Sequence, residues 1–164
     1  MYLSVVIPAY NEEKRIGTSL TKIYSYLKKR DHNFEIIVID DGSKDKTFNL
    51  LTEYSQKNPN LIILKNESNQ GKGFSIKKGV LKSRGDIILF SDADLSAPIE
   101  EMDKLIPWLK KGYQVAIGSR AMHDSEIKIY SPWYRQIMGK TFNKIIRIIL
   151  NLDYHDTQCG FKCF

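Results

Sequence analysis

The sequence predicts an α/β domain in which a mostly parallel central sheet is flanked by helices. Strand-like and helix-like segments alternate along the chain. The strand-like runs, Leu3 to Ile7, Phe34 to Ile39, Leu61 to Leu64, Asp86 to Phe90 and Gln114 to Ile117, are rich in Val and Ile and lack a regular polar face. Continuous apolar strands are buried on both faces, as in a parallel sheet whose right-handed crossover helices supply the cover. A third observation concerns the strand ends. Asp40 and Asp41 follow the second run, and Asp92 and Asp94 follow the fourth. Carboxylates are poor strand residues, and an open α/β sheet binds ligands beyond the carboxyl ends of its strands.

The helices between these strands follow from spacing and punctuation. Pro8 closes the first strand, and Asn11 is placed to cap a helix from about Glu12 to Lys29, in which Ile16, Leu20, Ile23 and Leu27 recur at helical spacing. After Gly42-Ser43, a helix from about Asp45 to Gln56 turns Phe48, Leu51 and Tyr54 inward. Gly71 to Gly73 reads as a flexible turn leading into a helix that ends near Ser83. Pro98 suits the first turn of a helix to about Lys111, and Pro107 within it predicts a kink or an early stop. Ser131 caps a last helix near 132–151, and Pro132 opens it. Met138, Phe142, Ile145, Ile146 and Ile149 fall on one side of that helix, with Lys140, Lys144 and Arg147 opposite. Such a helix is compatible with a lipid surface, and equally with ordinary packing on the core. Arg135 projects from the apolar side, where it needs an anionic partner, either a carboxylate or a phosphate.

Composition sets outer bounds. A chain of 164 residues with 42% hydrophobic and 27% charged residues is a single soluble globular domain, here 1–164. No run approaches the roughly 18 apolar residues of a membrane span, and the start lacks the basic opening of a signal peptide. Two cysteines, Cys159 and Cys163, make no disulfide scaffold, so a reducing cytoplasm is the expected location. The net charge is +6. Residues 1–114 hold 18 basic and 15 acidic residues and residues 115–164 hold 7 and 4, so the second part carries as much excess charge in under half the length. Between Ile127 and Leu152 lie five basic residues and no acid. This points to an anionic partner. Nucleic acid would explain the charge but not the acids on the strand ends, and no nucleic acid is expected.

Those acids have a definite chemistry. In an extended strand end, residues i and i+2 point the same way, so Asp92 and Asp94 of Asp92-Ala93-Asp94 could hold Mg²⁺ or Mn²⁺ while substrate phosphates complete the shell. The alternative is a solvated turn in which an Asp caps the next helix. Asp40-Asp41-Gly42-Ser43 is either a capped turn or a place where an Asp accepts from a base N–H or a ribose hydroxyl, with Gly42 permitting close approach. Gly71-Lys72-Gly73 offers N–H groups and a cation to a pyrophosphate. The phosphate loop of nucleotide triphosphatases, the dinucleotide fingerprint and the serine nucleophile elbow are all missing from the sequence. The three histidines have no metal-ligand spacing.

Taken in order, Val6-Ile-Pro-Ala-Tyr-Asn-Glu12, Val38-Ile-Asp-Asp-Gly-Ser43, Asn69-Gln-Gly-Lys-Gly73, Ser91-Asp-Ala-Asp94 and Gly118-Ser-Arg120 resemble family 2 glycosyltransferases of the GT-A fold. The resemblance spans essentially the whole chain. Ser96-Ala-Pro98 and Asp156-Thr-Gln-Cys-Gly-Phe-Lys162 look like the dolichyl-phosphate β-glucosyltransferase branch, close to dolichol-phosphate mannose synthases.

The resemblance implies a metal-dependent inverting transfer of one sugar from a nucleotide sugar to a polyprenyl (dolichyl or undecaprenyl) phosphate. UDP-glucose is the favoured donor and GDP-mannose a possible one. It places the enzyme peripherally at the cytoplasmic face of a membrane. Pro8, Tyr10 and Glu12 would line the nucleotide pocket; Asp41 would bind the base, with Asp40 beside it; and Lys72 would lie near the nucleotide or its phosphates. Asp92 would sit by ribose and metal, with Ala93 next to it, and Asp94 would ligate the metal. Arg120 and Arg135 would bind phosphates of donor or acceptor, and Asp156 would stand near the acceptor, positioning it more than deprotonating it. Asp94, Arg135 and Asp156 form the implied catalytic set. Relatives continue well past the last motif, so a C-terminally truncated catalytic domain is expected. A saccharide hydroxyl acceptor, and a non-catalytic nucleotide-sugar binding module, are the competing readings. A sugar nucleotidyltransferase would want a glycine-rich basic loop where this chain has Tyr10-Asn11-Glu12-Glu13.

Overall fold

Six strands form one sheet in the order β3-β2-β1-β4-β6-β5 in the computed structural model, which describes residues 1–30, 33–119, 141, 142, 149 and 159–164. β1 (Tyr2–Ala9) pairs in parallel with β2 (Asn33–Asp40) on one side and β4 (Ile87–Ser91) on the other, and β3 (Leu61–Lys65) continues the parallel set beyond β2. β6 (Phe161–Cys163) runs antiparallel between β4 and β5 (Ala116–Ile117). The sheet is therefore mixed at one edge. β6 was not legible as a strand, because three residues around a central Lys162 leave no periodicity to read.

The helices that flank the sheet among the described residues are α1 (Ile16–Lys28), α2 (Thr47–Lys57), α3 (Lys72–Lys82) and α4 (Met102–Lys110), with a 3₁₀ turn at Ile99–Glu101 leading into α4. Leu20, Ile23 and Leu27 of α1, Leu51 of α2 and Met102 of α4 bury against Val5, Ile7, Ile36, Val38 and Leu89. On the other face Val6, Ile37 and Ile39 pack with Ile62, Leu64, Val80 and Ile88 beneath α3. Each buried Leu, Ile or Val is worth about 1.5–3 kcal/mol relative to exposure, so β1 and β2, lined on both faces, anchor the fold. Among their buried polar side chains is Glu35, 1% exposed. It accepts from Ser4 Oγ at 2.7 Å, the Arg84 amide at 2.7 Å and the Arg84 guanidinium at 3.0 Å. Burial alone would raise its pKa, but these hydrogen bonds outweigh that and hold it below the usual carboxylate range.

Two helix boundaries differ from expectation. α1 begins at Ile16, and Asn11 sits in the left-handed region at φ 54° with no capping role. The Glu12 and Glu13 amides donate to Thr47 Oγ1 and Asp45 Oδ2, while Asn11 Oδ1 accepts from the Lys44 amide. Residues 11–13 are thereby held to the start of α2, leaving the first helical turn to form only after them. α4 continues through Pro107 and stops at Lys110.

Candidate functional site

Strand order reverses between β1 and β4, and the carboxyl ends of β1, β2 and β4 open there onto a cleft of about 360 Å³. Pro8, Ala9, Tyr10 and Glu12 line it from the end of β1, Asp41 from the end of β2, and Asp92, Ala93 and Asp94 from the end of β4. Asn69, Gly71 and Lys72, leading into α3, complete the wall. Tyr10 is 40% exposed at the end of β1, a half-open ring suited to stacking.

The two acidic pairs occupy different environments. Asp40 is fully buried and does not line the cleft. One of its oxygens accepts from the Ser43 amide at 3.4 Å, and the other has no hydrogen-bond partner among the described residues. Asp41 is 3% exposed but reaches the cleft wall. Its Oδ1 accepts from Asn66 Nδ2 at 2.7 Å and the Gln70 amide at 3.0 Å, and its Oδ2 accepts from the Gly71 amide at 2.9 Å. Burial would push its pKa up, but the donors from Asn66, Gln70, Gly71 and Ser75 prevail, and the carboxyl stays below its ordinary range. Asn66 itself accepts from Lys78 Nζ at 2.7 Å. Gly42 lets the turn after β2 touch this loop: its φ is +71°, and a Cβ there would lie 2.7 Å from the Ser68 carbonyl carbon.

Asp92 and Asp94 are partly exposed, their side chains at 30% and 37%. β4 ends at Ser91, so the two carboxylates do not share one side of an extended strand as expected. The Leu95 amide donates to the Asp92 carbonyl, and Asp94 Oδ1 accepts from both the Ser96 amide at 2.9 Å and Ser96 Oγ at 2.7 Å. An Asp that accepts from the amide two residues on forms a local turn in preference to extended chain, and this turn brings both carboxylates to the cleft. Lys72 Nζ lies 2.7 Å from Asp92 Oδ1. Arg15 grips Glu12 with two nitrogens, at 2.7 and 2.9 Å, and its third stands 4.0 Å from Asp94 Oδ2. Behind Asp92, the Gly160 carbonyl accepts from the Asp92 amide, and a Cβ at Gly160 would fall 2.0 Å from Asp92 Oδ2.

Two carboxylates with room for further oxygens suit Mg²⁺ or Mn²⁺, which keep part of their shell for substrate phosphates. No group of three or more His, Cys, Asp or Glu that could hold an ion by itself is found among the described residues. Asp92 and Asp94 are the residues that could share one. Arg120, Arg135, Asp156 and most of the segment 132–151 lie outside the described residues. Of that segment, Phe142 and Ile149 are described, and both are exposed. The sequence reading missed Arg15, Asn66 and Gly160. The Glu12-x-x-Arg15 spacing was the available signal for the first; Gly160 lies inside the 156–162 motif, which gave no sign of its contact with Asp92.

The profile of glycosyl transferase family 2 matches residues 4–164. The chain belongs to this family. Among its relatives, a dolichyl-phosphate beta-glucosyltransferase of Trichomonas vaginalis is 37% identical over 100% of this chain and 53% of its own length. The dolichyl-phosphate beta-glucosyltransferase of Homo sapiens is 36% identical over 99% of this chain and 54% of its own length. The chain thus spans about half the length of the curated relatives it matches. Among solved structures, the fold resembles glucosyl-3-phosphoglycerate synthase from Mycobacterium tuberculosis, with a TM-score of 0.66 at 23% identity over 99% of this chain and 56% of that one. A mannosyltransferase of Pyrobaculum calidifontis in complex with GDP-Man and Mn²⁺ aligns with a TM-score of 0.56 and 25% identity over 65% of this chain and 32% of that one. The family fold is the mixed α/β sheet flanked by helices described above.

Proposed function

We propose that this chain carries the donor-binding site of an inverting glucosyltransferase that moves glucose from a nucleotide sugar, UDP-glucose in the first instance, to a polyprenyl phosphate. The observation that carries the reading is the cleft. Tyr10, Asp41, Lys72, Asp92 and Asp94 converge on it from four separate elements at the switch point of a family 2 chain. The 36–37% identity to dolichyl-phosphate beta-glucosyltransferases over essentially the whole chain supports the sugar and the acceptor.

In this reading Tyr10 and the Asp41 wall receive the nucleoside, and Asp92 and Asp94 would hold Mg²⁺ or Mn²⁺, which would supply positive charge against the departing diphosphate. Lys72, at the N-terminus of α3, adds its own charge and the free amides of the first turn to that end of the cleft. An acceptor phosphate oxygen attacks the anomeric carbon while the bond from that carbon to the nucleoside diphosphate breaks, and configuration inverts. That oxygen is already anionic near neutral pH, so no strong base is needed. Asp156 then positions the acceptor, with Arg120 and Arg135 binding phosphates. The exposed Phe142 and Ile149, with the basic residues around them in sequence, support contact with a lipid surface. No described helix is long and apolar enough to cross a membrane.

Thermal denaturation with UDP-glucose, GDP-mannose and UDP-GlcNAc, each with and without Mn²⁺, tests the donor. UDP-glucose with Mn²⁺ is expected to raise the midpoint most. If none of the three stabilises the protein in a metal-dependent way, the donor-site reading is wrong.

A further inference from the structure

At the cleft, each carboxylate of Asp92-Ala93-Asp94 faces a cation delivered by a different element. Lys72 Nζ, from the first residue of α3, is 2.7 Å from Asp92. Arg15 Nη1, from the residue preceding α1, is 4.0 Å from Asp94. Neither cation is there by default. Glu12 grips Arg15 through Nε and Nη2, which fixes the guanidinium plane and leaves Nη1 as the nitrogen nearest Asp94. Lys72 follows Gly71, whose amide is held by Asp41. Asp92, for its part, has little freedom to turn away, because the Gly160 backbone is packed against its Oδ2.

From this geometry we infer that Arg15 and Lys72 double as stand-in counter-ions of Asp92 and Asp94, so that each holds off the divalent ion until a diphosphate draws it away. The inference rests on the donor-site reading above. With the cleft free, the two side chains neutralise Asp92 and Asp94, so a divalent ion has to compete with them. Once a nucleoside diphosphate arrives, its oxygens offer both cations a better-charged partner. Lys72 turns to those oxygens, Arg15 offers them Nη1 from the position Glu12 holds, and Asp92 and Asp94 become available to the ion. Lys72 is long and more than half exposed, so its exchange needs only a rotamer change and no backbone movement. The contribution of Glu12 is positional: it orients Arg15, so its loss acts through the guanidinium.

The test is titration calorimetry of Mn²⁺ into nucleotide-free protein, and of UDP with and without Mn²⁺, for the wild type, Lys72→Met and Arg15→Gln. Lys72→Met is expected to tighten Mn²⁺ binding to the nucleotide-free protein by about tenfold, and Arg15→Gln by less, in keeping with its longer contact. Both should weaken UDP binding in the presence of Mn²⁺, and both should reduce the factor by which each ligand strengthens the other. Unchanged or weaker Mn²⁺ binding by nucleotide-free Lys72→Met overturns the inference. So does a mutual strengthening of Mn²⁺ and UDP that survives both substitutions. The first comparison uses no nucleotide, so it stands apart from the donor assignment; a wild type that binds Mn²⁺ but neither UDP nor GDP breaks the donor reading instead.

Discussion

The pairs Asp40-Asp41 and Asp92-Asp94 look alike in the sequence, since both are acids directly after a buried strand, but the fold uses them in opposite ways. Asp41 is 3% exposed, and its carboxylate is spent on Asn66 and on the amides of Gln70 and Gly71. Asp92 and Asp94 are about a third exposed and face mobile cations. Asp41 braces the loop that leads to Lys72, and Asp92 and Asp94 stand more open at the cleft. A buried carboxylate with both oxygens on amide donors is part of the architecture, whereas a partly exposed one with an oxygen facing a long cationic side chain is open to exchange.

Substitutions sharpen this contrast. The largest effect is expected from Asp41→Ala, which strands the Asn66 amide and two backbone N–H groups in a buried site; a loss of about 3 kcal/mol in denaturant unfolding is expected. A loss below about 1 kcal/mol would mean that the loop at 66–71 stands without Asp41. Next comes Gly160→Ala, which forces Asp92 away from its present position. It should cost about 1–3 kcal/mol in the same assay and abolish metal-dependent stabilisation by nucleotide sugar; retained stabilisation would show that Asp92 need not be fixed.

The third test is pH. The carboxyl of Asp41 lies below its ordinary value in the folded protein, so its contribution is fully present above the unfolded value of about 4 and is lost as pH falls through the lower folded value. Wild-type stability should therefore fall more steeply below about pH 4 than that of Asp41→Asn, as followed by denaturant midpoints; parallel curves would remove Asp41 as an acid-sensitive anchor. Smallest in stability is Asp94→Asn, expected within about 0.5 kcal/mol of wild type. It should nonetheless lose metal-dependent donor binding, and unchanged binding would take Asp94 out of the ion's shell.

Much of this cleft was legible because strand ends are local features. Val and Ile runs give the strands, and whatever follows them lies at the carboxyl edge, so Pro8, Tyr10, Glu12, Asp41, Lys72, Asp92 and Asp94 could be placed in one site before any coordinates. What each one touches was not legible. Asp41 meets donors 25 to 30 residues away, and Asp92 rests on Gly160 from the far end of the sequence. The extended geometry expected of Asp92-Ala93-Asp94 gave way to a turn, because Ser96 two residues beyond Asp94 supplies both an amide and a hydroxyl. The expected capping role of Asn11 failed for a similar reason: Thr47 and Asp45, at the start of α2 and more than 30 residues away in sequence, claim the amides that a helix start would have used.

The antiparallel strand β6 has a consequence for how the chain folds. Every parallel neighbour of β1 is reached through a short helical crossover, but Ile117 at the end of β5 and Phe161 at the start of β6 are separated by 43 residues. Until Phe161–Cys163 docks, β4 presents an open edge of unpaired amides and carbonyls, and β5 has no strand to join. An apolar edge of the form Ile87-Ile-Leu-Phe90 is a template for pairing with other chains. The long-range pairing of β6 covers that template, and the residue just before it buttresses Asp92, so protection of the edge and completion of the acidic site come from one stretch of chain.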